Sequence, residues 1–364
     1  MRIVKTLRPA VARLTRRYYT FRLAQISRRQ LAALPPHAGA SLDEATRAEA
    51  LAFLGGLVQG YRDLRWHAHY ARANGRPSAV YMPEDIFYAL AMPALNPKDR
   101  AAILSDKNHF DLIEGWPSLP PTVGRLMNGR LLDPQFGPAT AAELVRRLPP
   151  GAQVVVKPSR VTGSGKSIAF VAAPDLAGAL VGRTDAVIQL PVQQHGDIAA
   201  INGTSLNTLR VNTYRRRDGE IVHLGTFLRM GRQGSRVDNT GAGGLYCGVD
   251  AERGVLHADG YNKDGSRVYQ AHPDSGLPFA GRSVPGFAAA RDAYLEAHRR
   301  LPWIDLASWD VAIDAAGRPV TIEVNVGTTI SVPQISLGPI FAPVMDDLRQ
   351  RIGRRRYSRL AGFL

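Results

Sequence analysis

The chain of 364 residues has a single cysteine, Cys247, so no intramolecular disulfide can form and a reducing cytoplasm is the expected compartment. No zinc site is apparent either. Long apolar runs are missing: the longest falls short of the ~20 residues that cross a bilayer, and the N-terminus lacks the apolar core of a secretion signal. An integral membrane protein is therefore not expected. Acid is scarce, since 46 Lys and Arg face 31 Asp and Glu for a formal net charge of +15. The excess is carried by arginine far more than by lysine, which suits phosphates, anionic head groups or acidic substrates. No nucleic-acid motif is recognisable and the charge is diffuse within the main body, which argues against nucleic acid as a partner.

What is present is an even mixture with 45% hydrophobic residues, enough for one large core or two moderate ones in an α/β or α+β protein. The first thirty residues contain no acid, and their Val, Leu, Tyr and Phe recur at helical spacing among arginines. Such a segment, residues 1–35, either lies on a membrane surface or packs on the body with solvated arginines. After a Pro/Gly break at 35–39, Ser41 with Glu44 reads as a capping box opening a helix that runs to about Asn74, where Gly75 and Pro77 stop it. Strand-like runs are expected at 153–157, 168–171, 186–190, 208–214, 221–228, 309–313 and 320–324, with helices near 139–148, 175–181 and 285–300. Hairpin connections between several of these strands favour antiparallel sheets with helices over a doubly wound parallel sheet.

Residues 309–325, WDVAIDAAGRPVTIEVN, read as a hairpin whose turn carries Gly317 and Pro319. With Asp314 facing Pro319, counting back sets Asp310 opposite Glu323, and Asn325 shares the face of Glu323 by the period of two. Like charges so placed repel unless something positive lies between them. Two carboxylates and an amide are hard oxygen donors of the kind that hold Mg²⁺, which takes its remaining ligands from water and substrate phosphates. An exposed hairpin with both acids in solvent is the alternative.

Upstream, VVVKPSRVTGSGKSIAFV places a strand ending at Lys157 before Gly163, Ser164, Gly165 and Lys166, then a second strand. A Walker loop needs glycine where Arg160 stands and a helix immediately afterwards. The stretch instead reads as a flap whose backbone N–H groups close over phosphates, with Lys157 beneath reaching a phosphate oxygen as a point charge. A plain surface turn is the alternative.

This order of parts resembles the ATP-grasp superfamily, in which ATP lies between two lobes made of antiparallel sheets. The matching positions are Lys107 in SDKNHF, Lys157 before the glycine flap, the hinge VIQLPV with Gln189 and Val192, and Asp310, Glu323 and Asn325. Within the superfamily the chain is similar to the sugar-transfer-associated family, linked to bacterial polysaccharide biosynthesis, through YMPEDIFY and PALN, DKNHF, SLNTLRVNTY, FLRMGRQGSRVDNTGAGG and WDVAI. The resemblance implies an α+β, two-lobed fold: a basic N-terminal segment 1–40, a helical and mixed region 41–104, a first lobe 105–190, a second lobe 191–345 and a basic tail 346–364. It implies ATP and Mg²⁺ as cofactors, with Asp310, Glu323 and Asn325 as metal ligands and Lys107, Lys157, Gln189 and Val192 around the nucleotide. Arg210 and Arg229 would steady the transferred phosphoryl group, and Asp238 and Asn239, before the glycine-rich GAGG, would form an acceptor-side loop.

His195, after the hinge, stands where it could touch ribose or an acceptor, or it is incidental. Cys247 has no apparent base beside it, and Trp303 and Trp309 read as core. The implied reaction is carboxylate–amine ligation through an acyl phosphate, on small-molecule or glycan-linked substrates. A kinase acting on a sugar or lipid-linked hydroxyl and a nucleotide-responsive scaffold docked by residues 1–35 are the rivals. The expected localisation is cytoplasmic or peripheral to the membrane's inner face.

Overall fold

The computed structural model describes residues 42–160, 167–353 and 355–356, with scattered positions between 18 and 32. The flap residues Gly163, Ser164, Gly165 and Lys166, most of the basic segment 1–40 and the end of the basic tail lie outside the described residues.

A short parallel pair joins β1 (Val58–Gln59) to β14 (Arg355–Arg356). A five-stranded sheet holds β2 (Thr122–Met127), β3 (Arg130–Leu132), β4 (Gln153–Pro158), β5 (Ala169–Ala172) and β6 (Ala186–Gln189), in the order β3-β2-β6-β4-β5. A seven-stranded sheet holds β7 (Thr208–Arg215), β8 (Ile221–Met230), β9 (Leu245–Val249), β10 (Leu256–Tyr261), β11 (Val268–Tyr269), β12 (Leu306–Ile313) and β13 (Pro319–Asn325), in the order β11-β10-β9-β8-β7-β12-β13. Every pairing within these two sheets is antiparallel, so the class is α+β, as expected.

The period of two decides what each sheet offers. In β4, Val154 and Val156 are fully buried with Leu144 of the helix Ala141–Arg146 and Leu176 of the helix Leu176–Leu180. Gln153, Val155 and Lys157 therefore point the other way. In β12, Ala307, Trp309, Val311 and Ile313 join the core under the helix Phe287–Arg299, which turns Ser308 and Asp310 to the opposite face. Trp309 is fully buried and donates its indole N–H to Thr213 Oγ1 at 2.9 Å, while Trp303 packs against the same core. Both are core residues, as read.

The single helix expected from Ser41 to Asn74 is two. Asp43, not Ser41, caps the first, Glu44–Leu57, by accepting from Thr46 N at 2.7 Å. The chain then leaves the helix to pair Val58 and Gln59 with β14 and turns at Gly60, φ 88°. A second helix, Arg65–Asn74, ends on Gly75 in the left-handed region, φ 67°. These elements pack on one face of the seven-stranded sheet, where Phe53, Leu54 and Phe87 share a core with Tyr214, Leu306 and Phe341.

Candidate active-site cleft

The chain-reversing register of β12 and β13 fixes the acidic pair. Ile313 pairs with Pro319, Ala312 with Val320, Val311 with Thr321, and then Asp310 with Glu323, so Ile322 is an unpaired bulge. Asp314 lies opposite Arg318, whose carbonyl accepts its N–H at 2.9 Å, not opposite Pro319 as counted from the sequence. The one-residue error at the turn and the bulge cancel, and Asp310 faces Glu323 after all. Asn325 shares that face and donates from Nδ2 to Asp310 Oδ2 at 3.3 Å.

Repulsion between the two acids is relieved by the chain's own cations, which corrects the expectation that a metal is needed for it. Arg210, paired with Asp310 across β7 and β12, grips the carboxylate in a fork, Nε to Oδ1 and Nη2 to Oδ2 at 2.6 Å each. Arg229 on β8 donates to Asp310 Oδ2 at 2.9 Å and to Asp238 Oδ1 at 3.1 Å. Burial alone would raise the Asp310 pKa, but the two guanidiniums hold it at about 2, so this carboxylate is ionised throughout the physiological range. Burial likewise opposes the charge on Arg229, and Asp238 and Asp310 outweigh it, raising its pKa. Asp238 also accepts from Thr208 Oγ1; its oxygens are spent inside the protein.

Glu323 is met from the other direction. Lys107 starts the short 3₁₀ helix Lys107–Leu112; its backbone N–H donates to Ser159 O at 2.8 Å, and its Nζ reaches Glu323 Oε1 at 2.8 Å. Lys157 lies close by with 9% of its surface exposed and no hydrogen-bond partner among the described residues. Burial and the charge of Lys107, only partly offset by Glu323, push its pKa down to about 8.

All of these side chains line one cleft of about 810 Å³. Lys157, Val155 and Gln153 enter from β4, Phe170 from β5 and Gln189 from β6; Arg210, Arg229, Asp310, Glu323 and Asn325 enter from the larger sheet. Val192, Asp238 and Asn239 also line it. Gln189 is 5% exposed, donates from Nε2 to Pro120 O at 3.3 Å, and leaves Oε1 without a partner among the described residues. A buried acceptor of this kind is costly until a ligand donor meets it. Asn239 turns its own Oδ1 back to Gly241 N at 2.7 Å. His195 is not among the lining residues: its ring Nδ1 accepts from Asp197 N at 3.2 Å as the cap of the helix Gly196–Ile201. Cys247 is buried, and desolvation pushes its thiol pKa up, which leaves it inert.

Several lining residues were given no role from the sequence. Arg236, in the loop after β8, stacks over the ring of Phe170 at 3.8 Å to the centroid, so this loop touches the five-stranded sheet across the cleft. Gly327, Thr328 and Thr329 follow Asn325 along its wall. Among the described residues no three His, Cys, Asp or Glu side chains are placed to hold a metal ion together, so any cation would rest on two acids and an amide. The donor chemistry fits a hard divalent ion: Glu323 Oε2 and Asn325 Oδ1 have no partner among the described residues, whereas Asp310 would have to trade an arginine contact for it.

Residues 174–349, just under half of the chain, match the family model described as sugar-transfer associated ATP-grasp. The two-sheet α+β architecture accords with it. No curated protein matches the chain. Among solved structures, the biotin carboxylase domain of 2-oxoglutarate carboxylase from Hydrogenobacter thermophilus, with MgADP, ADP and bicarbonate, is 13% identical over 72% of this chain and 48% of its own, with a TM-score of 0.43. The VanG D-Ala:D-Ser ligase from Enterococcus faecalis is 12% identical over 70% of this chain and 63% of its own, at 0.43. The D-alanine–D-alanine ligase from Bacillus anthracis, complexed with ATP, is 15% identical over 70% and 66%, at 0.39. The chain thus spans about half the length of the carboxylase it matches, and likenesses this slight carry no argument about reaction or substrate.

Proposed function

We propose that the cleft binds Mg·ATP and that the protein is a ligase joining a carboxylate to an amine through an acyl phosphate. The observation that carries this reading is the convergence, in one cleft, of two lysines, two arginines, two carboxylates and an amide drawn from both sheets and from the 3₁₀ helix that starts at Lys107. Lys107 and Lys157 are assigned to the polyphosphate, the second because a buried ammonium with no partner among the described residues is stabilised by an anion. Gln189 Oε1 is assigned to a ligand N–H such as the amino group of adenine. The stretch Gly163, Ser164, Gly165 and Lys166 is assigned as the lid that excludes water. Glu323, Asn325 and, after exchange, Asp310 would hold Mg²⁺, which would neutralise charge on the β- and γ-phosphates.

In the first step a carboxylate oxygen of the substrate attacks the γ-phosphorus, the bond to the β-phosphate oxygen breaks, and ADP leaves. Arg210 and Arg229, released in part from Asp310, stabilise the charge spread over the transferred group. An amine then attacks the acyl carbon, loses its proton and expels inorganic phosphate. Positioning and electrostatics supply the catalysis.

The reading extends to a first lobe at 105–190 and a second at 191–345, to a cytoplasmic setting with residues 1–35 touching the inner face of a membrane, and to acceptors from glycan assembly. The description of the matching family supports the last. No helix among the described residues is long and apolar enough to cross a membrane.

The test is release of ADP and phosphate from Mg·ATP across a panel of amino acids, sugar acids and glycan intermediates, with mass spectrometry of the product. Glu323→Gln is expected to lower turnover by about 10²-fold or more with the thermal transition retained. Unchanged turnover would reject the metal assignment, and a stable phosphorylated product without free phosphate would identify a hydroxyl acceptor instead.

A further inference from the structure

The motifs YMPEDIFY and PALN have no side chain in the chemistry above, yet Glu84 and Asn96 within them are buried and spent on the segment around the metal strand. Asn96 is 7% exposed and all four of its amide hydrogen-bonding sites are used. Nδ2 donates to Leu306 O at 2.6 Å and to Val326 O at 2.7 Å. Oδ1 accepts from Asp305 N and Leu306 N at 3.1 Å each. One side chain thus ties the first residue of β12 to the residue that follows Asn325, across the open end of the hairpin.

Glu84, 1% exposed, holds the other end of the same loop. Its Oε1 accepts from Ile330 N at 3.2 Å and from Ser331 N and Oγ at 3.4 and 3.2 Å. Beside it, Met82 and Gln334 exchange a reciprocal pair of hydrogen bonds at 2.9 and 2.8 Å. Residues 326–331, which present Gly327, Thr328 and Thr329 to the cleft, are therefore pinned at both ends by the chain between Met82 and Asn96.

The hairpin needs such a pin. Its register depends on a bulge at Ile322, and a slip of one residue turns a strand's side chains to the other face, which would take Glu323 and Asn325 out of the cleft together. The turn end is held by Asp314, whose Oδ1 accepts from Arg318 N at 2.8 Å; beyond the bulge, the open end is held by Asn96.

We propose that Asn96, with Glu84 at the far end of the loop, is a positioning residue that keeps Glu323 and Asn325 in register with Asp310 for cation binding. This rests on the metal assignment proposed above. Partners that hydrogen-bond a metal ligand directly are worth about 10–100-fold in affinity; Asn96 acts one step further out, through the backbone beside Asn325.

The experiment titrates the full chain with Mn²⁺ in the presence of ADP, following free Mn²⁺ by electron paramagnetic resonance, for wild type and Asn96→Ala. The expected result is at least a tenfold rise in the Mn²⁺ half-saturation point, with loss of hydrogen-exchange protection at the Leu306 amide and an otherwise native exchange pattern. A merely stabilising asparagine would lower the folded fraction without moving the half-saturation of what remains. An unchanged half-saturation in Asn96→Ala overturns the positioning role and leaves the metal site standing. Absence of ADP-dependent Mn²⁺ binding in the wild type overturns both. If Asn96→Ala does not fold, Glu84→Ala frees the loop from its other end: a weakened Mn²⁺ affinity there supports the proposal, and an unchanged one overturns it.

Discussion

Lys157 shows how one side chain can be a cost to the fold and an asset to the site. Its ordinary pKa is 10.5 and burial, with Lys107 nearby, lowers it to about 8 in the folded chain. Between these values the unfolded chain holds a proton that the folded chain has shed, so stability rises with pH across that window; below about pH 8 the full penalty of the buried charge applies. Lys157→Met should therefore stabilise the protein at pH 7 by on the order of 3 kcal/mol, and the upward slope between pH 8 and 10.5 should vanish from its denaturant midpoints. The same substitution should depress ATP turnover, because the penalty is relieved only when an anion sits beside the ammonium. In the wild type the KM for ATP should rise above about pH 8, as Lys157 in the unliganded chain loses the proton that phosphate needs. A Met variant no more stable than wild type at neutral pH would show that Lys157 is better solvated than its burial implies.

At the scale of elements, the loop from β8 to β9 is held by two glycines that allow no side chain. A Cβ on Gly244 would lie 2.7 Å from Met230 O and 2.9 Å from the carbonyls of Asp238 and Asn239; on Gly231 it would meet Val237 O at 2.8 Å. Backbone cannot give way as a flexible side chain does, so Gly244→Ala must push the loop outward and carry Asp238 away from Arg229. The expected cost is about 1–3 kcal/mol in chemical denaturation, with a drop in turnover. A variant of wild-type stability and activity would show the loop to be free of this constraint.

How much of these elements could be read beforehand depended on whether the signal was local. The strands of the acidic hairpin and of β4 were legible because alternation along one strand reports burial on one face. The turn register was misjudged by one residue, since nothing in DAAGRP marks whether Arg318 or Pro319 closes it. A bulge at Ile322 is equally silent. The hairpin β2–β3 was overlooked although Asn128-Gly129 is a strong turn signal; both residues take positive φ, 51° and 74°, as a two-residue hairpin turn requires. Asn96 and Arg236 stand in motifs that carried the resemblance, but their roles, like that of Thr328, could not be read, because each acts on residues far away in sequence. The break between the first two helices was invisible for the same reason, as its cause is a pairing with Arg355 and Arg356.

For the whole molecule, two cations span the gap between the sheets. Lys107 is anchored by its backbone to Ser159 at the end of β4 and by its ammonium to Glu323 on β13, and Arg236 carries the loop after β8 onto Phe170 of β5. If a triphosphate binds between them, both sheets should be drawn together. A ligand that binds only the folded chain stabilises it by about 2.7 kcal/mol at a hundred times its Kd. If the triphosphate bridges the sheets, that gain should appear as slower hydrogen exchange in β4 and β5 and, equally, in β12 and β13. Mg·ATP should produce the paired protection; adenosine alone, lacking phosphates for Lys107 and Lys157, should protect at most the smaller sheet near Gln189. Protection confined to one sheet with Mg·ATP, or full protection with adenosine, would mean that the charged groups of the larger sheet do not meet the nucleotide, and the ligase reading would lose its geometric basis.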